Sequence, residues 1–169
     1  APEGTGGQLI TQNAADADIQ GYELEFVIAP IDNLTISGSY THLDTEFSDF
    51  FTPAGFRPPD GGAGTSGDRT GNDLRNAPDA AYNILARYRM DLANGGTITW
   101  QADWRHKDIV YQDPDVFEWA AVPEYDVLDL RVSYLWPKGN LETTLWSRNA
   151  NDEEYFLHNW PLQGSGQAT

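Results

Sequence analysis

The stretch from Tyr125 to Trp136 constrains this chain most. Leu128, Leu130, Val132, Tyr134 and Trp136 fall on one parity, while Asp129, Arg131 and Ser133 fall on the other. Strict alternation of this kind predicts a strand with one apolar and one polar face. Pro137-Lys138-Gly139-Asn140 has the composition of a turn, and Leu141 to Arg148 follows as a second run, so the two make a hairpin. Placing Trp136 opposite Leu141 sets Tyr134 against Thr143 and Val132 against Leu145 on the apolar face. The same register predicts an ion pair between Asp129 and Arg148 and puts Arg131 against Trp146 on the polar face. A slip by one residue would mix the faces.

Four more runs alternate in the same way. Tyr22, Leu24, Phe26 and Ile28 mark the first, and Leu34, Ile36, Gly38 and Tyr40 the second. Tyr82, Ile84, Ala86, Tyr88 and Met90 mark the third, and Ile98, Trp100, Ala102 and Trp104 the fourth. Residues 1–17 read as loop, as does the polar stretch after Arg148. The connections then run short, long, short, long, short: 30–33, 48–78, 93–95, 107–124 and 137–140. Strands paired in sequence order would put every tight turn at one end and every long loop at the other. Transmembrane barrels show that asymmetry, with strands apolar toward lipid and polar toward the lumen. The expected fold is all-β: an antiparallel up-and-down meander of about six long strands, a segment of a transmembrane β-barrel. Six strands with open edges leave unpaired N–H and C=O groups, so by itself such a sheet transports nothing.

A formal net charge of −16 excludes nucleic acid as a partner, because its phosphates would be repelled. Cysteine is absent, which removes disulfides and thiolate metal sites and leaves the redox compartment open. No apolar run approaches the roughly 20 residues of a transmembrane helix. The chain opens Ala1-Pro2-Glu3-Gly4 without Met and reads as a fragment or a processed piece.

Several motifs, in order, resemble a known family. Gln20-Gly21-Tyr22-Glu23-Leu24-Glu25 and Asn33-Leu34-Thr35-Ile36-Ser37-Gly38-Ser39-Tyr40 resemble late barrel strands of TonB-dependent outer-membrane receptors. Asn76-Ala77-Pro78, and Trp146-Ser147-Arg148-Asn149 leading to Asp152-Glu153-Glu154-Tyr155, are similar to the same family. The resemblance covers roughly residues 13–156 and implies about six strands of a barrel of roughly 22. It implies that residues 1–169 form a C-terminal barrel segment, with the plug domain, the TonB box and the closing strand outside them. It also implies a place in the bacterial outer membrane against lipid, and contact with the TonB complex through the plug. The activity implied is energised uptake of a scarce small-molecule ligand such as a ferric siderophore. The alternative from the residues alone is a soluble secreted β-sandwich that binds carbohydrate through loop aromatics.

Trp100, Trp104, Tyr88, Tyr134 and Trp136 are candidates for an aromatic girdle at the lipid interface. Glu23, Glu25, Arg87, Arg89, Asp103, Arg105, Asp129, Arg131, Glu142 and Arg148 share the polar parity and would line a lumen, or form a solvated face of weak cross-strand pairs. Phe50, Phe51, Phe56, Phe117 and Trp119 fall in the long connections, where aromatics stack on sugars or planar chelates or simply fold the loops onto themselves. Asp108, Asp113, Asp115, Glu118 and Asp126 are a candidate cluster for a hard cation but lack EF-hand spacing. His42, His106 and His158 have no i, i+4 partner, and Ser66 sits in no nucleophile elbow. No carboxylate pair stands out as an acid/base couple, so the reading is of a non-enzyme without a cofactor.

Overall fold

The computed structural model describes residues 16–52, 67–116 and 118–159. The strands are β1 (Asp16–Ile31), β2 (Leu34–Asp49), β3 (Phe51–Thr52), β4 (Gly67–Asp68), β5 (Ala80–Asp91), β6 (Thr97–Lys107), β7 (Tyr125–Leu135) and β8 (Glu142–Ser147), with a short 3₁₀ turn at Glu118–Ala120. Six of them form one antiparallel sheet in the order β1-β2-β5-β6-β7-β8, and β3 and β4 pair as a small separate hairpin. The expected meander is therefore the observed one. Among the described residues no second sheet packs on either face, which sets the sandwich alternative aside.

Turn chemistry fixes the register. The Trp136 N–H donates to the Leu141 carbonyl at 2.9 Å across a loop in which Lys138 and Gly139 both have positive φ. Tyr134 pairs with Thr143 and Val132 with Leu145, as the hairpin composition predicts. Between β5 and β6, Gly95 has φ +80°, a conformation that glycine adopts without steric cost.

Two boundaries differ from the sequence reading. β1 begins at Asp16, well before Tyr22, and β2 runs on to Asp49, well past Tyr40. Both extensions pair with each other, Ile19 with Thr45 and Ala17 with Phe47, so the ladder continues where the pattern changes sides: Asp18, Asp44 and Glu46 follow the parity of Tyr22 and Tyr40, while Ile19, Leu43 and Phe47 take the other. The connection expected over 48–78 is also partly ordered. The Arg69 N–H bonds to the Phe50 carbonyl at 2.6 Å and the Gly71 N–H to the Phe47 carbonyl at 2.8 Å, which holds 67–79 against the upper end of β2.

The buried side chains are placed unusually for a single domain. Val110, Ala120, Ala121 and Val122 are buried, and all lie in the connection between β6 and β7. The sheet buries little, and Leu24, Ile28, Leu130, Val132 and Leu145 are exposed on one face. Leu145 is 75 % exposed. A contiguous apolar face of this extent marks a surface that meets something other than water.

Candidate functional site

The ladder assigns every strand residue to a face. Tyr22, Leu24, Phe26, Ile36, Tyr40, Ile84, Tyr88, Trp100, Leu130, Val132 and Leu145 occupy one side in register. Strand residues on this side carry no full charge over the middle of the sheet. Aromatic rings mark both ends of the apolar zone. Toward the long connections Tyr22, Tyr40, Tyr82 and Trp104 make successive ring contacts, with centroids 5.9, 6.4 and 5.2 Å apart. Toward the tight turns Tyr88 lies 5.8 Å from Trp100 and Tyr134 5.0 Å from Trp136. Tyr82 and Tyr88 are six residues apart on β5, roughly 20 Å of strand before tilt, which matches the order of thickness of a hydrocarbon band. The girdle expected from Tyr88, Trp100, Trp104, Tyr134 and Trp136 is thus two bands, with Trp104 in the upper one.

Charge enters this face only at the rim. Asp126 pairs with His106 in the ladder, at the long-connection end of β7. Its carboxylate accepts the indole N–H of Trp104 at 2.8 Å and lies 3.0 Å from His106 Nδ1. The five acidic residues offered as a cation cluster accordingly do not converge. Asp108 and Asp126 flank His106, Asp115 pairs with Arg69, and Glu118 is exposed. His106, Asp108 and Glu124 bring donor atoms within 4.8 Å of one another, but both ring nitrogens of His106 already face carboxylates.

The opposite face is polar and hydrogen-bonded. Glu25, Ser39, Asn83 and Arg105 stand in one row across β1, β2, β5 and β6. Arg87, Gln101, Arg131 and Trp146 stand in another across β5 to β8. Arg105 bridges Asp103 at 3.2 Å and Asp129 at 2.6 Å, and Asn83 donates to Asp103 at 3.3 Å. Arg87 donates to the Gln101 amide at 3.2 Å, Arg89 pairs with Asp91 at 3.1 Å, and Ser133 bonds Thr144 at 2.8 Å. A concavity of about 730 Å³ opens here, lined by Asn83, Gln101, Asp103, Arg105, Asp129, Arg131, Trp146 and Arg148 among others. Glu23 and Glu25 lie on β1, at the far edge of the same face, opposite Thr41 and Ser39.

Two expected contacts on this face are corrected. Asp129 does not pair with Arg148. β8 ends at Ser147, and Asn149 takes φ +50°, which turns its N–H onto Asp129 Oδ1 at 2.8 Å while Arg105 takes Oδ2. Both carboxylate oxygens are therefore already used. Arg131 does stand opposite Trp146 in the ladder, but its guanidinium reaches Ser133 at 3.4 Å and Glu142 at 3.9 Å. The cation over the Trp146 ring is that of Arg148.

Sequence reasoning missed a second concavity, of about 390 Å³, at the long-loop end of the polar face. Thr41, Arg105, Lys107, Tyr125, Tyr155 and Leu157 help to line it. Tyr155 lies in the polar stretch that reads as a tail, yet it stacks on Tyr125 with centroids 4.7 Å apart. Asn149 makes this bend, its side chain accepting the Glu153 N–H and donating to the Glu153 carbonyl, both at 2.9 Å. Of the loop aromatics, Phe50 packs on Phe47 with centroids 4.7 Å apart and Phe51 is exposed. Phe56, Phe117, Ser66 and the Trp119 side chain lie outside the described residues.

A single meander with one aromatic-bounded face that carries charge only at its rim, one polar face and unequal connections is a segment of a transmembrane β-barrel. The chain belongs to the TonB-dependent receptor family: the model described as "TonB dependent receptor-like, beta-barrel" matches residues 1–150. Its fold is also similar to the siderophore receptor PiuA from Acinetobacter baumannii, with 27 % identity and a TM-score of 0.63 over 83 % of this chain. The chain spans 18 % of that receptor's length. No curated protein sequence matches it.

Proposed function

We propose that this chain forms part of the wall of a bacterial outer-membrane receptor that takes up an anionic ferric siderophore, energised through the TonB complex. One observation carries the choice of ligand charge. In a chain of net charge −16, six of the ten Lys and Arg residues stand on the polar face of β5 to β8 and its rim: Arg87, Arg89, Arg105, Lys107, Arg131 and Arg148. A wall enriched in cations raises the local concentration of anions and lowers the barrier to their passage. Asp103 and Asp129 pair with Arg105, Asp91 with Arg89 and Glu142 with Arg131, which holds those arginines along the wall. The similarity of the fold to that of a siderophore receptor supports the substrate class. Phe51 and the Tyr125–Tyr155 stack offer flat apolar surface at the outer mouth for a planar chelate. The apolar face, bounded by its two aromatic bands, would meet outer-membrane lipid.

The test is uptake of radioactive iron by cells in which the receptor carrying this chain is the sole route. Uptake of a ferric chelate of negative charge should stop on adding a protonophore, and Arg87→Glu with Arg131→Glu should lower it more than they lower uptake of a neutral chelate. Uptake that is insensitive to the protonophore, or equally affected for both chelates, would contradict the proposal.

A further inference from the structure

The two long connections lie at the same end of the sheet, and four kinds of contact join them. The Arg69 guanidinium, just after β4, forms an ion pair with Asp115 in the β6–β7 connection, their side chains only 6 % and 10 % exposed. The Asn72 side chain donates to the Pro114 carbonyl at 2.7 Å. The Asn76 N–H donates to the Tyr111 carbonyl at 3.0 Å, and Gln112 returns a bond to the Asn76 side chain at 3.1 Å. Each partner is braced within its own connection. Residues 69–72 are held to β2 through Phe47 and Phe50, and Val110 and Val122 form a two-bond bridge beneath the buried Ala120 and Ala121.

We infer that this buried Arg69–Asp115 clasp locks residues 67–79 and 108–116 into a single body, so that displacing one segment carries the other with it. A buried pair is costly to break from one side, because the remaining charge is left without its counter-ion. Surface loops without such a link open independently and at little cost. Here the segments flanking the pair are tied by backbone bonds on both sides, so opening must proceed through both. The inference rests on these contacts alone and holds whatever ligand the receptor takes.

Amide hydrogen exchange in the full-length receptor tests it. Arg69→Gln should speed exchange by about tenfold or more in 67–79 and equally in 108–122, where nothing has been changed, while amides of β5 to β7 stay protected. Asp115→Asn should do the same from the other side. The double variant Arg69→Gln with Asp115→Asn removes both charges together and should expose the loops less than the two single changes combined. If either single variant leaves the receptor unfolded, the double variant compared with the remaining single decides the matter. A change confined to the substituted connection, or effects that simply add in the double variant, would overturn the clasp.

Discussion

The guanidinium of Arg148 lies 5.2 Å from the ring centroid of Trp146, two residues back in its own chain, and leaves Asp129 to Arg105 and to the backbone of Asn149. A local cation–π contact on an exposed side chain is worth about 0.5–1 kcal/mol. Asp129 does more, because it receives a buttressing N–H at the point where β8 ends.

The two residues should therefore be energetically independent. Asp129→Ala should destabilise the folded receptor by about 1–2 kcal/mol, and Arg148→Ala by less than about 1 kcal/mol. Urea titrations of both single variants and the double should give a coupling energy near zero, whereas the Arg105–Asp129 cycle should give a few tenths to about 1 kcal/mol. Strong coupling between Asp129 and Arg148 would restore the pairing that the hairpin register predicts.

Gly38 sits in mid-strand because of Phe26. A Cβ added there would lie 2.6 Å from the Asn83 carbonyl oxygen and 2.8 Å from the Phe26 ring. That ring covers the glycine, and Phe26 is the one half-buried residue of β1. Gly38→Val should cost about 1–3 kcal/mol by pushing the β1 edge away. The same change at Ser39, on the polar face, should cost much less. Equal costs at the two positions, measured by refolding the receptor into micelles, would refute the close packing.

Asp113 makes the loop region pH-dependent. It is 7 % exposed; its Oδ1 accepts the Asp115 N–H at 2.8 Å, and its Oδ2 meets no hydrogen-bond partner among the described residues. Burial raises its proton affinity above the ordinary aspartate range, and the Asp115 carboxylate adds to this, while the Asp115 N–H, Arg75 and Arg69 oppose it. The closed loop thus holds this proton more tightly than the opened loop does. Stability from this group is present at low pH and is lost as pH rises from about 3.9 through the raised value. Exchange protection of 110–122, corrected for intrinsic rates, should fall over that rise, and Asp113→Asn should flatten the slope. Protection that increases with pH and is unaltered by Asp113→Asn would exclude this role.

The strands were legible in the sequence because each pleat meets two different surroundings. Alternation of Leu128, Leu130 and Val132 with Asp129 and Arg131 states which side faces which, and the Pro137–Asn140 turn sets the register to the residue. The upper half of β2 was not legible, since Asp44 and Glu46 put charge on the parity that is apolar lower down while Leu43 and Phe47 fall on the other, so the pattern inverts within one strand. The clasp was invisible for another reason. Asn72 and Pro114 are 42 residues apart, and nothing local in either connection announces the other. Side-chain partners on the polar face were equally hidden. Ladder position names the neighbours of Asp129 but not which of its neighbours' donors wins, and that is decided by the backbone turn at Asn149.

The central claim is that the aromatic side of this sheet faces lipid and the arginine side faces an aqueous lumen. β7 holds no cysteine, so single cysteines bearing spin labels can be placed one at a time along it in the full-length receptor in bilayers, any cysteine elsewhere in that receptor being replaced first. Labels at 128, 130 and 132 should be relaxed strongly by oxygen and weakly by a water-soluble nickel chelate, and labels at 129, 131 and 133 the reverse. Accessibility that fails to alternate with a period of two, or that alternates with the parities exchanged, would contradict the account.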